Sequence, residues 1–194
     1  MRGWYSRGYL PHFDEPDRIQ FITYRLCDSL PRGVLDAYDE ALRRKEIDEL
    51  GRIRKIEAYL DEGHGACWLR KPEIASLIEG NLRHFDGERY RLLAWCVMSN
   101  HVHVVAEMME RYPLDDVAHS WKSYTAHRIN RILGRRGAVW QREVFDRYMR
   151  SERHLVYTIN YVEENPVAAG LVGEARDWPY SSARLRELLN EEAE

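Results

Sequence analysis

The stretch YRLLAWCVMSNHVHVVAEM, residues 90–108, decides the predicted fold. It holds two apolar runs, of nine and eight residues, joined by the dipeptide Ser99-Asn100. Two short apolar runs separated by a turn-forming dipeptide are typical of an antiparallel hairpin. The sequence therefore predicts two adjacent strands, with His101 and His103 at the start of the second.

Further strands and helices are indicated on both sides of this hairpin. β-branched and aromatic residues predict strands, and apolar residues at helical spacing predict helices. The predicted strands span residues 18–27, 90–98, 101–108 and 138–148, and the predicted helices span residues 34–60 (one helix or two), 72–84, 113–133 and 152–164. Ser151 is the expected N-cap of the last helix, and Pro166 is expected to end it. This order predicts an α+β fold, an antiparallel sheet with helices packed on one side.

Length and composition favour a single domain. The chain has 194 residues, of which 44% are hydrophobic, and residues 177–194 are predicted to form a C-terminal surface tail with a short helix at its end. No signal-peptide run is recognised, and no stretch approaches the roughly 18 apolar residues of a membrane span, so we expect a cytoplasmic protein. Cys27, Cys67 and Cys96 are far apart and lack Cys-x-x-Cys spacing, which predicts buried thiols rather than disulfides or a zinc ribbon.

Positive charge is concentrated in one part of the chain. The net charge is -3, yet residues 119–154 contain nine Lys or Arg and three acidic residues. A basic segment of this kind is either a solvated surface or a strip that binds phosphate. Its position between the two halves of the site described next favours the strip.

Two pairs of side chains form a candidate metal site. On a strand, residues two apart point to one face, so His101 and His103 can meet one cation while Val102 points into the core. On a helix, residues four apart share a face, so Tyr161 and Asn165 can meet the same ion. Two imidazoles and an amide oxygen leave coordination positions open, which favours Mg²⁺ or Mn²⁺ over a closed zinc site.

These residues also have ordinary structural explanations. Alternate histidines occur on strands by chance, and a tyrosine in this helix can simply pack on the sheet. Asn165 can cap the helix before Pro166. Tyr157 lies one turn before Tyr161 on the same face, whereas Tyr148 falls on a predicted strand and is less favoured.

Three sequence segments favour the metal site over the ordinary structural explanations. WCVMSNHVHVVAE, AVWQREVFDRYMRSERHLVYTINYVEENPVAAGLV and DWPYSS closely resemble the single-tyrosine HUH transposases, in particular the branch of REP-associated tyrosine transposases. The resemblance covers nearly the whole chain in the same order, and its motifs are specific in combination. It implies a ferredoxin-like sheet with helices packed on it.

The resemblance also implies a chemistry and its residues. His101 and His103 correspond to the metal-binding histidines of the family, and Tyr161 corresponds to its nucleophile. Asn165 takes the place of the polar residue that completes the metal site in relatives. The implied reaction cleaves single-stranded DNA beside a hairpin, leaving a 5′-phosphotyrosine and a free 3′-OH, and reverses to rejoin the strand. The protein would act as a monomer or homodimer.

Contacts to DNA are expected from the basic segment. Trp121, Trp140 and Tyr124 are candidate platforms for stacked bases, and residues 140–142 are predicted to form a polar strand segment beside the site. The expected phosphate-contacting residues are Lys122, Arg128, Arg131, Arg135, Arg136, Gln141, Arg142, Arg147 and Arg150.

Two other classes of function remain open at this point. The chain can be a non-catalytic protein that binds hairpin DNA and retains the fold. It can also be a metal-dependent hydrolase that uses His101, His103 and Cys96, which lies on the preceding strand. Only a strand transferase forms a covalent bond between the protein and DNA.

Overall fold

The computed structural model describes residues 3–6, 11–14 and 18–191. The strands span Gly3–Ser6 (β1), Pro11–Asp14 (β2), Ile19–Arg25 (β3), Tyr90–Val97 (β4), His101–Met108 (β5) and Phe145–Tyr148 (β6). β1 and β2 form a separate antiparallel pair. The other four strands form the main sheet in the order β4-β5-β3-β6, and all its neighbouring pairs are antiparallel. This is the ferredoxin-like arrangement, and it confirms the predicted fold class.

The helices begin and end close to the predicted positions, with one ambiguity resolved. They span Arg32–Arg43 (α1), Glu49–Asp61 (α2), Pro72–Arg83 (α3), Leu114–Ile132 (α4), Glu152–Ala168 (α5) and Ser182–Glu191 (α6). Residues 34–60 therefore form two helices. Between them Lys45 has a positive φ of 58°, and the Asp48 side chain accepts a hydrogen bond of 2.7 Å from the Gly51 backbone N–H. A left-handed residue followed by an N-cap ends one helix and starts the next.

Helices cover both faces of the sheet, so the prediction that they lie on one side is wrong. Ile22 and Val104 pack in one core with α3 and α4. Phe21 and Val105, which point the opposite way on the same strands, pack in a second core with Val162 of α5. The central strands are apolar at successive positions, and a strand of that kind is buried on both faces.

The last strand is shorter than predicted. β6 pairs with β3 only over its four residues, whereas residues 138–144 run as irregular chain beside the end of β3. Two backbone hydrogen bonds hold that irregular segment, from Cys27 N–H to Val139 O and from Gln141 N–H to Arg25 O. Strand-forming residues are thus present, but regular pairing with β3 stops at Thr23, two residues before β3 ends.

α5 continues through Pro166 to Ala168, so the expected end before the proline is wrong. A proline removes one backbone donor, and here the loss falls in the last turn of the helix, where it leaves only the Val162 carbonyl without its usual partner. Pro166 and Val162 are both buried against the sheet. Gly170 follows the end of the helix, and its φ of 67° is the left-handed conformation common after a helix C-terminus.

The C-terminal segment is less exposed than predicted. The Val97 N–H donates to the Tyr180 carbonyl (2.9 Å), and the Trp178 indole N–H donates to the Val97 carbonyl (3.0 Å). Ser181 and Ser182 are buried. The segment before α6 thus lies along β4 instead of on the surface. In the described part of the chain, no helix is long and apolar enough to cross a membrane.

Candidate active site

The two histidines of β5 converge on one point. Both are buried and face α5, and their Nε2 atoms are 3.0 Å apart. The opposite ring nitrogens are held: His101 Nδ1 donates to Asn100 Oδ1 (2.7 Å), and His103 Nδ1 contacts Thr23 Oγ1 (2.8 Å) on β3. Partners at Nδ1 fix the orientation of each ring and direct Nε2 outward, as in histidines that bind a metal.

Burial keeps both imidazoles neutral. It lowers the pKa of His103 to about 3. It also lowers the pKa of His101 well below its ordinary value, and the neighbouring His103 and Arg25 act in the same direction. A neutral imidazole has a free lone pair, so protons do not compete with a metal for these nitrogens near neutral pH.

α5 places Tyr161 and Asn165 over the histidines. The N-cap is as predicted, because the Ser151 hydroxyl accepts a hydrogen bond of 3.2 Å from His154 N–H. The ring of Tyr161 lies 5.7 Å from the ring of His103, centre to centre. Asn165 is buried, and its Oδ1 atom has no hydrogen-bond partner among the described residues.

Two acidic residues of α2, which the sequence did not single out, complete the site. Asp61 Oδ1 lies 3.6 Å from His101 Nε2, and one ligand atom from each of Asp61, His101 and His103 lies within 4.8 Å of the others. Glu57 is one turn earlier on the same face of the helix. The sequence shows these two acids four residues apart. It has 32 acidic residues, however, and no local pattern predicts that α2 lies beside the sheet.

Burial is the main cause that raises the pKa of Asp61, to about 7. The charge of Glu57 adds to it, and a hydrogen bond with Asn165 opposes it. Asp61 Oδ1, like Asn165 Oδ1, lacks a hydrogen-bond partner. Buried oxygens without partners are uncommon in proteins. Two neutral imidazoles with two such oxygens fit the nitrogen and oxygen ligands of Mn²⁺ or Mg²⁺.

The phenol of Tyr161 is held in its protonated form. Burial raises its pKa, and the charges of Glu57 and Asp61 raise it further. Among the described residues the hydroxyl has no hydrogen-bond partner at normal distance, and Glu57 acts on it through a longer polar contact as well as through its charge. Tyr161 and Glu57 line a groove of about 350 Å³ together with Arg54, Arg147 and other residues. The phenol therefore needs a proton acceptor before it can act as a nucleophile.

Two other tyrosines and Cys96 do not belong to the cluster of candidate metal ligands. Tyr157 lines the same groove but is 71% exposed. Tyr148 pairs with Gln20 in the sheet and so points to the face opposite His103. Cys96 pairs with His103 across the strands, yet its thiol contacts Met98 Sδ (3.5 Å) and it does not belong to the Asp61-His101-His103 cluster.

The basic residues divide between the two faces of the sheet. Arg147 pairs with Phe21 and lines the groove, and the exposed Arg150 follows β6 nearby. The others belong to α4, to the turn after it, or to the irregular segment before β6, and they are Lys122, Arg128, Arg131, Arg135, Arg136, Gln141 and Arg142.

Several of these groups already have protein partners. The Lys122 ammonium donates to the Arg142 carbonyl (2.6 Å), and burial lowers its pKa to about 8. The Arg135 guanidinium stacks on Trp68 at 4.2 Å, and Arg128 lies 5.5 Å from the Tyr124 ring. The basic segment is thus not one continuous strip beside the histidines.

Two tryptophans expected as possible base platforms belong to the core. Trp121 and Trp140 are buried, and their indole N–H groups donate to Tyr90 OH and Thr125 Oγ1, both at 2.9 Å. An indole whose N–H is satisfied internally serves packing. The expected polar strand at residues 140–142 is therefore wrong, whereas Tyr124 is 45% exposed.

Known proteins share the part of the chain that carries this site. The model of one family, "Transposase IS200 like", matches residues 71–165, which include both histidines, Tyr161 and Asn165. A Haemophilus influenzae protein assigned to the REP-associated tyrosine transposases is 27% identical over 123 residues, 57% of this chain and 66% of that protein. A REP-associated tyrosine transposase of Escherichia coli is 25% identical over 93 residues, 48% of this chain and 54% of that protein.

The chain thus spans just under two thirds of the first relative and about half of the second. Its fold is similar to a solved REP-associated tyrosine transposase bound to a REP hairpin, with a TM-score of 0.55 and 14% identity over 91% of this chain and 82% of that chain. Sequence family, relatives and fold agree. Over residues 71–165 the chain is similar to the IS200-like transposase family, and the curated proteins it resembles are REP-associated tyrosine transposases.

Proposed function

We propose that this protein is a metal-dependent single-stranded DNA endonuclease and strand transferase, a transposase that acts beside hairpin or repetitive palindromic DNA. The observation that carries the proposal is the convergence of four side chains from two separate elements. Two imidazole Nε2 atoms 3.0 Å apart on β5 face a tyrosine and an amide with an unpartnered oxygen on α5. The similar fold of a REP-associated tyrosine transposase bound to a REP hairpin supports the proposed class of substrate.

In this proposal Tyr161 attacks the scissile phosphate. The new bond joins the phenol oxygen to phosphorus, and the 3′ oxygen of the preceding nucleotide leaves. His101, His103, Asp61 and Asn165 would hold a divalent cation, Mg²⁺ or Mn²⁺, which when bound supplies the charge that polarises a phosphate oxygen. The phosphodiester energy is retained in the phosphotyrosine bond, so the free 3′-OH can later attack and rejoin the strand.

DNA would meet two sets of residues, all of them basic except Gln141. Arg147 and Arg150, beside the groove, are proposed contacts of the strand that is cut. The rest of the hairpin would lie against the residues outside the groove, which are Lys122, Arg128, Arg131, Arg135, Arg136, Gln141 and Arg142.

The test is formation of a covalent adduct. Wild-type protein is incubated with labelled hairpin DNA from the flanks of its own gene and Mn²⁺ or Mg²⁺, and adducts are separated on a denaturing gel. We expect an adduct from wild type and from Tyr157→Phe, a matched control one turn away, and none from Tyr161→Phe. A protein that binds these hairpins with no adduct would instead be a non-catalytic binder. Cleaved DNA without an adduct would indicate a hydrolase.

A further inference from the structure

Glu57 lies in a part of the chain that the family match does not cover. The match begins at residue 71, whereas α2 ends at Asp61. α2 nevertheless lies over the active site, with Asp61 beside His101 and Glu57 in the groove with Tyr161. α2 therefore brings a carboxylate into the same groove as the proposed nucleophile.

The proposed reaction needs a group that takes the phenol proton. An ordinary phenol has a pKa of about 10, and its surroundings here raise the pKa of Tyr161 further. The metal-site histidines are not available as acceptors, because their Nδ1 atoms already have partners and their Nε2 atoms would bind the cation. Asp61 is directed at the histidines instead.

The remaining groups around the phenol favour Glu57. Arg54 and Arg147 line the groove as cations, which carry no basic site. His154 lines it too, but it lies two turns before Tyr161 on α5, and its Nδ1 accepts a hydrogen bond from the Arg150 backbone N–H (3.4 Å). Glu57 is half-buried, and burial raises the pKa of its carboxyl group, which the longer polar contact with Tyr161 and the charges of Arg147 and Arg54 oppose. A base with a raised pKa is better matched to a phenol.

We propose that Glu57 accepts the Tyr161 proton during DNA cleavage and returns it during rejoining. This role rests on the proposed function above. In cleavage the phenol O–H bond breaks, its proton moves to a carboxylate oxygen of Glu57, and the phenol oxygen bonds to phosphorus. The phosphorus bond to the 3′ oxygen breaks, and that oxygen takes a proton from water. In rejoining the 3′-OH loses its proton to water, and the departing Tyr161 oxygen recovers its own from Glu57.

The test compares adduct formation in Glu57→Gln and Glu49→Gln at saturating DNA. Glu49 is an exposed acid in the first turn of the same helix, so its variant controls for charge and for the helix. At saturating Mn²⁺ as well, we expect the rate for Glu57→Gln to fall about a hundredfold or more, and Glu49→Gln to stay near wild type. Circular dichroism verifies that each variant is folded.

A second measurement separates proton transfer from a structural role. Fluorine atoms beside the hydroxyl acidify a phenol, so 3,5-difluorotyrosine at position 161 depends less on a base. We expect this replacement to speed Glu57→Gln much more than it speeds the protein with Glu57 intact.

An equal effect in both backgrounds, or an unchanged rate in Glu57→Gln, would overturn the role of Glu57 and leave the transferase intact. Failure of wild type to form any adduct would instead overturn the proposed function and this role with it.

Discussion

Individual residues at this site have the protonation state and the orientation that metal binding requires. His101 and His103 are neutral because they are buried, and each has a partner at Nδ1 that fixes its orientation. Asp61 and Asn165 each present a buried oxygen without a hydrogen-bond partner. Burying such oxygens unpaired costs free energy, about 1 to 3 kcal/mol for each group, and a cation would remove that cost.

Metal affinity should depend on pH through Asp61. Its pKa of about 7 means that below this pH a proton occupies the carboxylate and competes with the cation. We expect Mn²⁺ affinity to fall about tenfold for each pH unit below 7 and to level off above it, because one proton is displaced on binding. Calorimetric titrations between pH 5.5 and 8.5 would measure this dependence.

The same proton has the opposite effect on the stability of the metal-free protein, whose free energy of unfolding falls as the pH rises. Folding raises the pKa of Asp61, so its protonated form stabilises the fold at low pH, and that contribution is lost as pH rises through about 7. The Asp61→Asn variant is the control for the Mn²⁺ titrations. It should bind Mn²⁺ more weakly, and its affinity should depend much less on pH. Equal pH profiles for wild type and variant would show that Asp61 is not a ligand.

At the scale of elements, α5 is the helix whose stability matters most for the site, because it carries Tyr161 and Asn165. Its N-terminus depends on the Ser151 hydroxyl. Ser151→Ala should lower the free energy of unfolding by about 1 kcal/mol, as loss of an N-cap usually does. Urea unfolding would measure the change. Ser151→Asn, which keeps a capping oxygen, should stay near wild type, and equal destabilisation by both variants would contradict the capping role.

The division of basic residues between elements predicts unequal effects on DNA binding. Arg147 on β6 lines the groove, whereas Arg131 on α4 lies on the other face of the sheet. For a short unpaired oligonucleotide, Arg147→Ala should weaken binding and reduce the slope of log K against log salt by about 0.7, the value for one phosphate contact in a single strand. Fluorescence anisotropy at several salt concentrations measures both. Arg131→Ala should change neither, and the reverse pattern would contradict this placement of the cut strand.

Local patterns in the sequence predicted these elements well, and tertiary packing explains where they did not. The hairpin at Ser99-Asn100 and the cap at Ser151 follow from neighbouring residues, so both were predicted correctly. The helix through Pro166 depends on burial against the sheet, which no local pattern contains. Trp140 was misjudged for the same reason, since its partner Thr125 lies on another element.

For the whole molecule, the sheet brings together groups that are far apart in the chain. His101 and His103 on β5, Tyr161 on α5 and Asp61 on α2 meet because α5 and α2 lie on the same face of the sheet. The sequence and its family resemblance identified the first three. Asp61 and Glu57 required the fold, because the placement of α2 depends on contacts across the molecule.

The most direct test of the central claim is to locate the DNA on the protein. After reaction with hairpin DNA, the adduct is digested with nuclease and trypsin, and its peptides are fragmented in a mass spectrometer. Tyr157 and Tyr161 fall in one tryptic peptide, residues 154–176, so fragment ions between them distinguish the two. We predict a nucleotide phosphate on Tyr161 alone. A nucleotide on Tyr157 or on any other residue, or an unmodified Tyr161 in reacted protein, would contradict the account.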